Sequence, residues 1–289
     1  MSRFFIILFL SVALSSCFTQ KVKIRKNEQV FVYTCEVNVL EDESLYMSQD
    51  TLTQAIRFTN LTNTPLPPKF SEKQAIATLN KGFSKAPIVF KNTNSTRTHL
   101  DLTLGPDNFT DHIEIFRTYN SFEAIDIVVI PDDTFLSIER EPGSVKGIAG
   151  DIPEIDNPSE NRTIIIIRLS EVESNILVHE MAHLFGVAHP FDSRRGSISG
   201  NGCYTGDWAP DTPVPGAGHG TVMPGCKYLP GVGDTLSKAE RKIYIKNYAG
   251  YSHPDCMVCF TEDQLAIIRK NGEVNWPLKL TRYNPNYQY

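Results

Sequence analysis

The sequence predicts an α+β fold. A mixed, twisted β-sheet and a histidine-bearing helix make up the N-terminal half, and the C-terminal half is irregular with one or two helices. Three observations lead there. Short runs rich in Val, Ile and Phe recur up to residue 169, with helical patterns between them. One strongly apolar helical pattern, 171–185, ends at a glycine. From there to about residue 233 the chain is rich in Gly and Pro, and helical patterns return only at 236–246 and 261–271.

The elements follow in order. MSRFFIILFLSVALSSC has one cation, Arg3, before an apolar run, Phe4 to Leu14, that is too short to span a bilayer. Residues 1–17 are therefore expected to be an export signal. Leu14-Ser15-Ser16-Cys17 resembles the bacterial lipobox, which implies lipidation of Cys17, a membrane anchor and a place in the bacterial cell envelope. Residues 18–29, FTQKVKIRKNEQ, are polar and basic and read as a tether. Residues 30–289 form the main domain, divided at the glycine-rich turn into 30–188 and 189–289. Val30 to Leu40 reads as a strand holding Cys35, and TNLTNTPLPPKF (59–70) as a loop. Ser71 caps a helix with apolar Ala75, Ile76, Leu79 and Phe83. IVF (88–90), LDLTL (100–104), IDIVVI (125–130) and the continuous run TIIIIRL (163–169) read as strands, the last of them buried.

Composition narrows the function classes. The chain has 289 residues, 41% hydrophobic and 21% charged, so it is globular. A net charge of −5 gives no basic footprint for nucleic acid, and none is expected as a partner. A monomer is expected. Five cysteines follow Cys17, so at most two disulfides form among them.

HEMAHLFGVAH, His179 to His189, carries the chemistry. Ser170 and Glu173 have capping-box spacing ahead of it. His179 and His183 are one turn apart on one helix face, about 6 Å, which suits two ligands of one zinc ion. Glu180 is about 100° round the helix, so it can reach a water beside the metal without being a ligand. Gly186 ends the helix and lets the chain reverse, so His189 can return as the third ligand. Three protein ligands leave a position open for water, which is the catalytic arrangement. Glu180 is then the general base and acid of peptide hydrolysis.

The motif resembles that of the metzincin zinc endopeptidases. NYAGYSHPDCMVCFTEDQ (247–264), GDWAPDTP (206–213) and LNKGFSKAPIVF (79–90) resemble the pappalysin branch in particular, through Asn247, Tyr248, Tyr251, Cys256, Phe260, Thr261 and Gln264. The resemblance runs from about residue 30 to 271. It implies a metzincin-type fold and zinc as cofactor. It also implies a methionine-bearing turn beneath the metal, and here that position is Ala249. Met223 in TVMPG is the rival for that turn. Tyr251, two residues past the turn, becomes the candidate oxyanion donor. Asp207 and Asp211 become candidates for a structural calcium. Cys256 is expected to bridge Cys226, with Cys203–Cys226 as the alternative. There is no cysteine switch in prospect, because Cys35 sits in a strand.

The function expected is a lipid-anchored zinc endopeptidase. Its protein or peptide substrate would pair with an edge strand near GIAG (147–150), and Asp255 would favour a basic residue just after the cut. The alternative is a non-catalytic, zinc-stabilised surface lipoprotein that binds a protein ligand. An intact Glu180 weighs against that alternative.

Overall fold

The structure is a computed structural model. It describes residues 17–26, 29–38, 51–61, 70–93, 97–99, 109–119, 124–139, 144–150, 163–191, 207, 209, 211–215 and 220–274. The export signal upstream of Cys17, the strand expected at 100–104 and Cys203 lie outside these residues, so export and lipidation stay expectations of the sequence.

Among the described residues, twelve strands and five helices follow one another. They are β1 (Cys17–Lys26), β2 (Gln29–Asn38), β3 (Leu52–Leu61), α1 (Glu72–Gly82), β4 (Ile88–Asn92), β5 (Arg97–His99), β6 (Phe109–Thr110), α2 (His112–Tyr119) and β7 (Ile125–Ile130). Then come β8 (Phe135–Leu136), β9 (Gly147–Ala149), β10 (Ile164–Arg168), α3 (Asn175–Leu184), β11 (Thr221–Met223), β12 (Lys227–Leu229), α4 (Lys238–Lys246) and α5 (Glu262–Val274). The expected α+β architecture stands.

The main sheet runs β4-β3-β7-β10-β9, with β5 also pairing with β3. All its pairs are parallel except β9, which lies antiparallel on β10 and forms one edge. Parallel strands are covered on both faces, which is why β7 and β10 read as unbroken apolar runs. The two-residue side-chain period sends Ile127, Val129, Ile165 and Ile167 into one apolar layer and Val128, Ile130, Ile164 and Ile166 into the other. The first layer holds Leu79 of α1 and Leu177, Val178 and Met181 of α3, together with Phe260, Leu265 and Ile268 of the C-terminal half. The second is closed by Ile115 and Phe116 of α2. The histidine helix is thus seated on the sheet by burial of its apolar positions, each worth about 1.5–3 kcal/mol.

Three local expectations are corrected. Residues 18–29 were expected to be a tether, but Cys17–Lys26 pairs antiparallel with β2, placing Val22 opposite Tyr33 and Ile24 opposite Phe31. The alternation in KVKIR suits a strand once a partner is present. The expected loop at 59–70 starts later, because β3 continues to Leu61. The histidine helix starts at Asn175 with Ser174 as its cap, not at Ser170. Ser174 Oγ accepts from the Ile176 amide at 3.1 Å. The Glu173 carboxylate accepts instead from the Ser71 amide, at the start of α1.

One buried network fixes the approach to the edge strand. Arg168 closes β10 and is almost fully buried. Its guanidinium donates to the carbonyls of Asp132 at 2.7 Å, Thr134 at 2.9 Å and Val145 at 2.7 Å, and to the Glu139 carboxylate at 2.7 Å. Burial works against the Glu139 anion. The Val145 and Leu136 amides and Arg168 overcome it and hold this carboxyl below its usual range. Each polar atom of the pair is satisfied, as a buried ion pair requires. Because Val145 is gripped from both sides, β9 is placed relative to β10 and α3.

Candidate metal centre and cleft

The helix delivers His179, Glu180 and His183 on adjacent positions of one turn, all buried. Its end is a Schellman motif: the Gly186 amide donates to His183 O and the Val187 amide to Ala182 O. Gly186 has φ +86°, and a Cβ there would also meet the Asn271 amide nitrogen at 2.5 Å. Glycine is therefore required twice over, and the reversal brings His189 back to the helix.

The three Nε2 atoms converge. They are separated by 3.1 Å (His183–His179), 3.1 Å (His183–His189) and 3.3 Å (His189–His179). Three nitrogens held about 2.0–2.1 Å from one zinc at tetrahedral angles would stand about 3.4 Å apart. The protonation pattern agrees. His179 Nδ1 lies 2.6 Å from the Tyr248 carbonyl and His183 Nδ1 2.6 Å from the Val187 carbonyl. A carbonyl only accepts, so each Nδ1 carries the proton and donates, leaving the Nε2 lone pairs of both rings facing inward. Burial lowers the His179 pKa to about 4, opposed by its bond to Tyr248, so the ring is neutral at pH 7. Converging lone pairs repel unless a cation sits among them, and the donor set fits zinc. This is the one such metal-binding cluster among the described residues.

Glu180 reaches the edge strand and lines the same cleft as the three histidines. Its Oε2 accepts from the Ala149 amide at 2.8 Å. Burial pushes its carboxyl up to about 8, against the lowering effect of that amide. A cation among the three imidazoles would pull it back down. On either side of β9, Lys146 O accepts from the Arg168 amide and the Gly150 amide donates to Ile164 O, both in β10. The alternation of an antiparallel ladder therefore turns the polar groups of Gly147 and Ala149 the other way, along the free edge. Together these residues line a cleft of about 520 Å³ that is also lined by Tyr251, Ser252, Ile176 and Met257.

The turn expected to pass beneath the metal is built by side-chain amides. Asn247 Nδ2 donates to Gln264 Oε1 at 2.8 Å, and Asn247 Oδ1 accepts from the Ala249 amide at 2.8 Å. Gln264 Nε2 donates in turn to Asp207. The network ties 247–251, α5 and residue 207 together and holds the Tyr248 carbonyl under His179. Ala249 is fully buried in the core beside Tyr248. Met223, its rival, lies on the β11–β12 hairpin and is 43% exposed, so it does not floor the triad. Replacing Gln264 with Leu should strand Asp207 and Asn247 in the core and cost about 3–5 kcal/mol, with weaker zinc retention. A thermal midpoint within 2 °C of wild type, on the order of 1 kcal/mol, would count against the network.

Other sequence candidates divide. Tyr251 sits in the cleft, half exposed, with its ring 4.8 Å from that of His189 and 4.4 Å from that of Phe191. Phe191, which sequence reading passed over, stacks on His189 at 4.9 Å. A disulfide joins Cys226 to Cys256, the pairing the family resemblance implied, and Cys259 is a free thiol. Calcium gains no support. Both Asp207 oxygens are occupied by Ala209 N and Gln264 Nε2, and burial lifts its carboxyl to about 7. Asp211 and Asp263 exchange bonds with each other's backbone amides. Asp255 does not line the cleft. Its side chain is 88% exposed and pairs with His253 at 3.5 Å.

No protein-family model matches the sequence, and no curated protein matches it either. Among solved structures, mature mirolysin of Tannerella forsythia, in complex with a cleaved peptide, is similar at TM-score 0.51 and 18% identity. That match covers 77% of this chain and 92% of the other. The likeness is one of fold. A metalloproteinase of Bacteroides fragilis matches at 11% identity over 61% of this chain and 68% of the other, with a TM-score of 0.29 that does not establish a common fold.

Proposed function

We propose that this chain is a zinc-dependent endopeptidase of the metzincin type, related to the pappalysin branch. The observation that carries the reading is the convergence of three imidazole Nε2 atoms beside a buried carboxylate, in a cleft bounded by an edge strand. Its fold, shared with mirolysin, supports it.

His179, His183 and His189 would hold the metal. Zinc there supplies a Lewis acid for the scissile carbonyl and makes a water nucleophilic at neutral pH. The substrate lies extended along β9 and bonds the outward-facing groups of Gly147 and the carbonyl of Ala149, whose amide is taken by Glu180. Glu180, fixed by the Ala149 amide, takes a proton from the attacking water as the water oxygen bonds the carbonyl carbon. It then gives that proton to the departing nitrogen as the carbon–nitrogen bond breaks, leaving a carboxylic acid and an amine. Tyr251, on the cleft lining, would donate to the developing oxyanion.

The test is cleavage of a denatured protein by the zinc-loaded chain, with a chelated sample and Glu180→Ala alongside and metal content measured in all three. The expected result is one zinc per chain in both loaded proteins and cleavage in the wild type alone. Zinc bound without cleavage of any substrate would sink the enzymatic reading and favour a zinc-stabilised binding protein.

A further inference from the structure

The cleft has a second wall, whose chemistry the hydrolysis above does not use. It is made by Ile176 of α3, by Ser252 and by Met257. Ile176 is one turn before His179, and Met257 is 1% exposed in the same apolar layer. This wall is fixed in place. Asn175 Nδ2 donates to the carbonyls of Pro254 at 2.9 Å and Met257 at 3.0 Å, pinning the segment to the first turn of α3. Cys256 is bridged to Cys226 from the other side. A pocket so pinned is preformed and does not need to order on binding.

Its charges are equally definite. Among the described lining residues Glu180 is the one carboxylate, and it is engaged with Ala149. The cation on the lining is Lys146, at the far wall, paired with Glu171 at 2.7 Å. Asp255, the carboxylate that a basic side chain would need, belongs to a separate concavity shared with Gln74, Lys81 and Glu173. An Arg or Lys side chain placed against Met257 and Ile176 would lose water and gain no partner.

We infer that the pocket of Ile176, Ser252 and Met257 selects peptides with an aliphatic side chain beside the cut, of leucine or methionine type, and rejects basic ones. Met257 is its specificity-determining residue. The inference rests on the endopeptidase reading and names its substrate class.

The experiment has two arms. In the first, the zinc-loaded chain cleaves a peptide library and the cut sites are mapped by mass spectrometry. One position flanking the cut should be enriched in Leu and Met, with kcat/KM at least about 100-fold above that for Arg. Met257→Asp should raise the Arg-to-Leu ratio by about 10-fold or more, and Met257→Leu should keep the wild-type profile and show that the wall tolerates replacement. In the second arm, fluorescent Leu and Arg peptides are titrated onto zinc-loaded Glu180→Ala protein, where the Leu peptide should bind more tightly. Cleavage with Arg or Lys enriched beside the cut, or with no preference, overturns the inference and leaves proteolysis standing. Cleavage of no peptide, with equal binding of both probes, removes the endopeptidase reading and this pocket's role with it.

Discussion

Without metal, Glu180→Gln should melt higher than the wild type at pH 8, and with zinc it should lose nearly all of the proposed cleavage. Both effects come from one buried carboxyl. Burial pushes it up to about 8 in the metal-free fold, far above the usual carboxylate range. A group whose folded pKa is raised contributes stability that is complete below the unfolded value and is lost as pH rises through the folded one. From pH 4.5 to 8 the metal-free wild type is therefore progressively penalised, because the fold keeps Glu180 protonated while the unfolded chain ionises it, by on the order of 4 kcal/mol at the upper end. Glutamine has no charge to bury, and its amide oxygen can still accept from Ala149. The expected gain is roughly 10 °C in melting temperature at pH 8, shrinking to nothing near pH 4.5. His179 slopes the other way. Burial depresses its pKa to about 4, so its contribution is present above 6.5 and is lost as pH falls through 4. The variant keeps that acid flank and loses the alkaline one. With zinc bound, the amide cannot take a proton from water, and kcat should fall by about 10²–10⁴-fold at unchanged metal content. Calorimetry of chelated proteins from pH 4 to 9 checks the first half. Identical pH profiles for the two proteins would mean that Glu180 is not held in a charge-hostile site.

The residues proposed for this chemistry were legible in sequence because the constraint on them is local. The His179–His183 interval is one helical turn, Gly186 is a left-handed cap, and His189 follows at a fixed distance; no tertiary contact is needed to read them. β7 and β10 were legible for the complementary reason: burial on both faces leaves an unbroken apolar run. What was missed depends on partners far along the chain. β3 hides its strand because Arg57 stands in it, and the charge is acceptable only because Asp126 of β7 meets it at 2.5 Å. Ser170 looked like the helix cap because Glu173 is correctly spaced, but Glu173 is drawn off to Ser71, 102 residues away. Asn247, Gln264 and Asp207 were visible as pattern members, and their mutual bonds give the physical reason for the pattern. Asp255 was expected at the cleft as a carboxylate near the presumed pocket wall. The 3₁₀ turn at Pro254–Cys256 carries it out of the cleft and leaves Met257 on the wall.

Gly147→Ala should cost about 100-fold in kcat/KM with zinc content and folding nearly unchanged, although residue 147 carries no side chain and binds no metal. A Cβ at this position would lie 2.7 Å from Glu180 Cγ and 2.9 Å from Glu180 Oε1. Carbon atoms in contact stand about 3.5–4.0 Å apart, so something must move. The backbone of Gly147 is outside the left-handed region, so the effect is steric and not conformational. Two movements are open. Glu180 can rotate away from Ala149, which takes the base off the attacking water, or β9 can shift outward, which moves the strand that aligns the substrate. The helix itself cannot yield, because Leu177, Val178, Met181 and Ala182 fix it in the core. The three imidazoles are not touched, so one zinc per chain should remain. A double-mutant cycle separates this from general damage. Glu180→Asp alone lowers activity by shortening the reach of the base. Both substitutions displace the same carboxylate, so in the Gly147→Ala background the second should cost much less than it does alone, with strong non-additivity. Additive losses would mean that Gly147 acts through something other than the carboxylate. The steric requirement also bears on how the cleft is built: the strand proposed to bind the substrate is the strand that holds the base, so an extended peptide bonded to β9 arrives already in register with Glu180.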